Sequence, residues 1–307
     1  MKTNSPNMTA DLEAVIDAVL LSVRDKRPQI ELALAAFLSG GHVLIEDAPG
    51  TGKTSLARAL GHHLSLERKR LQCTNDTMPS DILGVNIFDP QTGSFTFRRG
   101  PLFSQLILVD ELNRAPSKSQ SALLEAMAER QASIDGVRYD LPDPFILIAT
   151  QNPAEHIGVS PLPESQLDRF AVSFSLGLPS PQTEADILMQ AQAGIESDLS
   201  QPPILAKGDF QHLCTLCQTV QTNASVIAYL QKLANHIRAA LFPNLSVRAL
   251  MQIKNLAQAR AFIKGRDYTV PEDIQTVLIG ALRHRLPLEA NETEARIPEL
   301  IAEIDVP

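Results

Sequence analysis

The string Ala48-Pro49-Gly50-Thr51-Gly52-Lys53-Thr54 lies between an apolar run, His42-Val43-Leu44-Ile45-Glu46, and a helical pattern opening Thr54-Ser55-Leu56-Ala57-Arg58. A glycine-rich turn that joins strand to helix and ends in Gly-Lys-Thr is the phosphate-binding P-loop arrangement. Its glycines let backbone N–H groups curl around a phosphate chain. The helix start aims about half a positive charge at the same anion. Pro49, Gly50, Thr51, Gly52, Lys53, Thr54 and Ser55 are therefore the expected nucleotide contacts. Lys53 would reach the β- and γ-phosphates and the Thr54 hydroxyl would ligate Mg²⁺. The strict pattern begins with Gly, and that position is Asp47 here.

A second apolar run, Leu106-Ile107-Leu108-Val109, ends in Asp110-Glu111. Beside a P-loop this is a Walker B pattern. Asp110 is placed to hold Mg²⁺, and Glu111 to polarise the attacking water. An acidic pair in that place argues for hydrolysis of ATP rather than transfer to a small acceptor. A third run, Phe145-Ile146-Leu147-Ile148-Ala149, ends in Thr150-Gln151-Asn152-Pro153. Asn152, at a strand tip between the other two, is the candidate sensor of the γ-phosphate; the alternative is an Asn-Pro turn.

The elements that carry these residues follow a simple order. To about Leu178, apolar strands alternate with helical patterns, which indicates a parallel sheet flanked by helices. Pro179-Ser180-Pro181 breaks the pattern, and the text from Thr183 to His284 is helical throughout. The expected fold is thus α/β, an αβα nucleotide-binding core over residues 1–178 followed by an all-α lid domain over 179–307. Two inserts interrupt the core, near 84–101 and 132–143, each reading as a hairpin. Thr269-Val270-Pro271-Glu272 reads as a helix start with a capping box.

Composition bounds the rest. The 307 residues are 44% hydrophobic and carry a formal net charge of −8, which disfavours non-specific duplex binding. No apolar run approaches the ~20 residues of a membrane helix, and the first residues lack a signal-peptide core. Three cysteines give no disulfide framework, so a cytoplasmic setting is expected. Cys214-Thr215-Leu216-Cys217 has no second ligand pair and is read as two small core residues rather than a zinc or redox site.

Four ordered strings together resemble the MoxR family of AAA+ ATPases. They are Val109-Asp110-Glu111-Leu112-Asn113-Arg114-Ala115-Pro116, the following Gln120-Ser121-Ala122-Leu123-Leu124-Glu125-Ala126-Met127-Ala128-Glu129-Arg130, Ala149-Thr150-Gln151-Asn152-Pro153, and Pro161-Leu162-Pro163-Glu164-Ser165-Gln166-Leu167-Asp168-Arg169-Phe170. The similarity runs over residues 28–285, and the Asp47 form of the loop also occurs in the family. Arg24-Asp25-Lys26 departs from it, because relatives usually carry Gly in a short adenine-pocket motif there. The resemblance implies that Arg169 is an arginine finger acting on the neighbouring subunit's γ-phosphate. It implies that Arg248 is a sensor contacting the nucleotide of its own subunit, and it suggests a place for Arg114 at the subunit interface. It places the two hairpins toward the pore of a ring. A site incomplete in a monomer predicts a homo-oligomeric ring, expected to be a hexamer, using ATP and Mg²⁺. The family further implies chaperone-like maturation of protein complexes, with clients bearing a von Willebrand factor type A domain. Nucleic acid is an unlikely partner. Two alternatives stand beside this reading, a nucleic-acid translocating motor and a low-turnover ATP-dependent binding switch.

Overall fold

The computed structural model describes residues 5–151, 162–192, 201–288 and 290–306. Its centre is a five-stranded sheet of β1 (Val43–Glu46), β2 (Arg68–Gln72), β5 (Leu106–Asp110), β8 (Ile146–Gln151) and β9 (Val172–Phe174), in the order β2-β5-β8-β1-β9. Every neighbouring pair is parallel. Parallel strands need crossovers, and crossovers cover both faces. That is why the three runs found in the sequence are continuously apolar.

Alternate residues of each strand enter different cores. Val43, Ile45, Leu106, Leu108, Ile146 and Ile148 join a cluster that continues into the C-terminal helices. Leu44, Ile107, Val109, Leu147 and Ala149 join a second cluster on the opposite face. The first face is covered by α1 (Ser5–Ser22), α2 (Arg27–Leu38) and α3 (Lys53–His63). The other carries α4 (Pro79–Leu83) and α5 (Ser117–Glu129). Full burial of each such side chain stabilises by about 1.5–3 kcal/mol.

β2 differs, since Arg68, Lys69 and Arg70 are exposed on an edge strand. Charged residues there discourage edge-to-edge pairing, and they hide the strand from any search for apolar runs.

Both inserts are hairpins. β3 (Gly84–Asp89) pairs antiparallel with β4 (Ser94–Arg99), and β6 (Gln131–Ile134) with β7 (Val137–Asp140). Asp135 and Gly136, at φ 51° and 80°, form the tight turn of the second. Asn86 Nδ2 donates to Asp135 Oδ2 at 2.6 Å and ties the two hairpins together. Phe97 packs beneath, 4.4 Å from the Tyr139 ring, whereas Phe88 and Phe95 stay 52% and 70% exposed.

After the short α6 (Glu164–Leu167), β9 leads into α7 (Pro181–Gln192), α8 (Asp209–Cys217), α9 (Ala224–Ala240), α10 (Val247–Ile263), α11 (Pro271–Leu282) and α12 (Ala290–Ala302). The Ser246 hydroxyl caps α10, accepting from the Ala249 amide at 3.0 Å. The start of α11 is capped one residue later than Thr269 suggested. Pro271 takes the first turn, and the Asp273 carboxylate accepts from the Val270 amide at 2.9 Å.

Asp273 is fully buried, paired with Arg260 at 2.5 Å and Arg266 at 2.6 Å. Burial alone would raise its carboxyl, but hydrogen bonds from Arg266, the Val270 amide and Arg260 outweigh it and hold the group below the usual carboxylate range. Removing the carboxylate strands two guanidiniums, so Asp273→Ala is expected to cost about 3 kcal/mol in urea unfolding at pH 7. Because the folded value is the lower one, this contribution is present above about pH 4 and is lost as pH falls further. The gap between wild type and variant should therefore narrow in titrations taken toward pH 2.

Candidate nucleotide site

β1 ends at Glu46, and the chain turns through Gly50 and Gly52, at φ 86° and 93°, before α3 begins at Lys53. Only glycine adopts such angles freely. The first N–H groups of α3 have no partner within the helix and face the turn. Lys53 Nζ donates to the carbonyls of Asp47 and Ala48, both at 2.8 Å. Burial lowers its ammonium from the usual value, against the pull of Asp47, Asp110 and Glu111. Those acids and the lysine share one electrostatic environment at the C-terminal edge of the sheet.

Parallel register brings them there. Gln72 stands opposite Asp110, Val109 opposite Ala149, and Glu46 opposite Gln151. β8 lies between β5 and β1, as the sensor strand was expected to. Asn152 itself lies outside the described residues. Its neighbour Thr150 makes the junction: its hydroxyl accepts from the Glu111 amide at 2.9 Å and donates to Asp110 Oδ1 at 3.3 Å. Glu111 takes φ 55°, a left-handed backbone rare in non-glycine residues, and this turns its side chain away from the strand direction.

Both acids have partners. Arg70 Nε sits 2.7 Å from Asp110 Oδ2, and Asp110 is only 6% exposed. Gln72 Nε2 donates to Glu111 Oε2 at 3.1 Å, and Arg114 Nε lies 3.2 Å from the same oxygen. Arg114, suggested for the subunit interface, thus contacts its own Glu111. Burial, then the Asp110 and Glu111 charges, push the nearby Cys73 thiol up to about 12. Burial does the same to Cys214 and Cys217, also about 12, in keeping with inert core thiols.

The arginines collect at the other end of the sheet. Arg169, just before β9, donates to the Leu124 carbonyl at 3.0 Å. Next to it Asp168 pairs with Arg285 at 2.9 Å, and Arg285 also donates to the Phe170 carbonyl at 2.7 Å. Burial, then the Arg130 and Arg248 charges, lower the His42 imidazole to about 3; Arg248 likewise disfavours charge on Arg285. His42 precedes β1, whereas the P-loop follows it. Four strand residues at ~3.3 Å each separate those ends. α10 packs on α2, and its Gln252, one turn beyond Arg248, bonds to Arg285 beside Phe170, so the start of α10 lies toward that end of the sheet.

A Mg²⁺ ion fits the oxygens present. Such an ion takes one or two protein oxygens and completes its shell with phosphate and water. Thr54 is exposed in the first turn of α3 and lines one pocket with Arg70, the partner of the Asp110 carboxylate. Among the described residues no group of three His, Cys, Asp or Glu makes a protein-only metal cage.

A P-loop on β1, an acidic pair on β5 and a polar tip on the strand between them define an AAA-type ATPase core. The sequence model described as ATPase family associated with various cellular activities (AAA) matches residues 42–172, and the AAA lid domain model matches 234–304. Chaperone MoxR1 of Mycobacterium tuberculosis is 36% identical, over 94% of this chain and 79% of its own length. The uncharacterised YeaC of Bacillus subtilis is 40% identical over 92% and 90%. A crystal structure from Cytophaga hutchinsonii, ascribed to an ATPase, superposes with a TM-score of 0.86 at 33% identity, covering 99% and 97% of the chains. The chain belongs to the MoxR family of AAA+ ATPases.

Arg70, Gln72 and Thr150 escape a reading of the sequence. The first two sit on a strand with no apolar pattern, and only the register opposite Asp110 reveals them. Arg70 would compete with a metal ion for the Asp110 carboxylate. With its guanidinium largely in solvent and its carboxylate buried, the pair is worth on the order of 1 kcal/mol, or roughly a 5-fold change in an equilibrium constant. Arg70→Ala should lower, by that factor, the Mg²⁺ concentration giving half-maximal binding of a fluorescent ATP analogue. An unchanged or higher Mg²⁺ requirement would contradict the competition.

Proposed function

We propose that this chain is a Mg²⁺-dependent ATP hydrolase whose active sites form between subunits of a ring, taken to be a hexamer, and that it matures or activates protein complexes. The observation that carries the reading is the separation of the two halves of the site. Lys53, Thr54, Asp110 and Glu111 stand at one end of the sheet and Arg169 and Arg248 at the other. A head-to-tail contact between copies would bring the two ends together, and contacts of that kind close into rings.

The P-loop amides and Lys53 would hold the β- and γ-phosphates, with Pro49, Gly50, Thr51, Gly52 and Ser55 shaping the cradle. Bound Mg²⁺ would neutralise charge on the phosphates, held by Thr54 and Asp110. Glu111, released from Gln72 and Arg114, would accept a proton from the attacking water. Asn152 would orient that water beside the γ-phosphate. Arg169, always charged and able to bind phosphate with two N–H groups, would reach in from the next subunit. A finger of this type contributes ~10³–10⁵ in rate. Arg248, on the same side as Arg169, is assigned to the neighbour's nucleotide as well. Residues 1–178 form the catalytic core in this reading, and 179–307 the lid.

The chaperone role draws on the name of the M. tuberculosis relative and on the family resemblance, which also points to clients with a von Willebrand factor type A domain. The exposed Phe88 and Phe95 at the tip of the first hairpin favour a protein client over nucleic acid. No helix among the described residues is long and apolar enough to cross a membrane.

Mixing two inactive variants tests the shared site. Glu111→Gln should bind ATP and hydrolyse it at least ~100-fold more slowly, and Arg169→Ala should be impaired within the ~10³–10⁵ range of a finger. Mixed rings would contain junctions with an intact Glu111 on one side and an intact Arg169 on the other, so mixing should restore turnover. No restoration, with turnover per subunit independent of protein concentration, would refute the shared site. Capture of client proteins by Glu111→Gln held in ATP would then identify the substrate class.

A further inference from the structure

The connection between β9 and α7 is tied down from two sides, and one tie begins in the P-loop. The Asp47 carboxylate is 6% exposed and accepts three hydrogen bonds: from Ser175 Oγ at 2.5 Å, the Leu176 amide at 2.5 Å and the Gly177 amide at 3.2 Å. Hydrogen bonds to an ionised acceptor are about twice as strong as neutral ones. The backbone of Asp47 belongs to the nucleotide site. Its amide donates to the Gln151 carbonyl at 3.2 Å, and its carbonyl accepts from Lys53 at 2.8 Å. The second tie comes from the segment before α2. Asp25 Oδ2 accepts from the Ser180 hydroxyl at 2.8 Å and the Ser180 amide at 3.2 Å, and Lys26 Nζ donates to the Leu178 carbonyl at 2.8 Å. Asp25 has φ 62°, an angle glycine takes freely and few other residues adopt.

We propose that Asp47 is a positioning residue that couples the P-loop to the connection into the helical half, so that nucleotide binding is felt at residues 175–180. The proposal rests on reading the P-loop as an ATP site. A phosphate chain draws the Lys53 ammonium toward itself and away from the Asp47 and Ala48 carbonyls, since a phosphate is the stronger acceptor. Asp47 then shifts with its carboxylate, and Ser175, Leu176 and Gly177 shift with it. Asp25 and Lys26 hold the far side, so the displacement falls on residues 175–180, which carry both ties, and on the start of α7. The arrangement also accounts for Asp where the strict loop pattern has Gly. A glycine there would cradle phosphate equally well and would leave the connection unattached.

Hydrogen exchange of the full chain, with and without a slowly hydrolysed ATP analogue and Mg²⁺, tests this. In the unaltered protein, nucleotide should change exchange at residues 175–180 by roughly threefold or more. Asp47→Gly should bind the analogue within about threefold of wild type by calorimetry while that response disappears; kcat should fall about tenfold with little change in KM. Ser175→Ala, which removes one of the three bonds without touching the loop, should reduce the response part-way and stands in if Asp47→Gly does not fold. An unaltered response in either variant overturns the coupling. So does a loss of nucleotide affinity that parallels the loss of response, since Asp47 would then only shape the loop. Failure of the unaltered chain to bind nucleotide overturns the reading of the P-loop itself.

Discussion

The register of three parallel strands governs this molecule. β8 is hydrogen-bonded to β5 on one side and β1 on the other, so a one-residue slip would turn every side chain of a strand to the wrong face. With Val43, Ile45, Leu106 and Leu108 committed to one core and Leu44, Ile107 and Val109 to the other, no slip is tolerated. The same register lines up the P-loop, Asp110 and Thr150 along one edge, so the cost of misplacing the catalytic groups is the cost of disrupting two hydrophobic cores. Chemistry is placed at strand tips for this reason: the tips inherit the precision of the packed interior while remaining open to solvent.

That edge concentrates negative charge, and the chain holds the excess in check with its own cations. Asp110 faces Arg70, Glu111 faces Arg114 and Gln72, and Glu46 lies 3.7 Å from Arg283. In the Asp110 and Glu111 contacts the guanidinium is about half in water, which weakens them. Weakness suits the task. A buried, fully paired carboxylate would hold its partner against an incoming metal, whereas a guanidinium that is half in water can leave. Asp273, fully buried between Arg260 and Arg266, shows the other use of the same chemistry, a permanent clamp at the start of α11.

How much of this was legible in the sequence follows from which residues carry a period. β1, β5 and β8 announce themselves because parallel strands buried on both faces are unbroken apolar runs. The P-loop and the acidic pair are legible because phosphate binding requires glycine and lysine at fixed spacing. β2 is not, since an edge strand reading Arg-Lys-Arg-Leu-Gln has one buried-type residue in five, and with it Arg70 and Gln72 stay hidden. The placement of Arg248 is hidden for a different reason. A motif identifies a helix position, but the packing of α10 on α2 decides which end of the sheet that helix serves, and no local pattern encodes a contact between elements two hundred residues apart. Asp47 showed as a departure from a pattern, and only the three bonds to residues 175–177 give it a reason.

The position of the arginines has a consequence for how an assembly would work. Arg169 and Arg285 are held by carbonyls and by Asp168 on a rigid face, next to the buried, neutral His42 and His284. Neutral imidazoles at that end add no charge to compete with the guanidiniums, and burial keeps them neutral across physiological pH. The cationic face is thus constant, while the acidic edge at the other end changes its partners when metal and phosphate arrive. In a head-to-tail contact the variable end of one subunit meets the fixed end of the next. Attraction is weakest while Arg70 and Arg114 still cover the acids, and it strengthens when a triphosphate adds several negative charges that one Mg²⁺ and one lysine do not balance. In such an assembly, tightening of the subunit contact would follow from charge alone, with no separate device required to report the nucleotide state across the boundary.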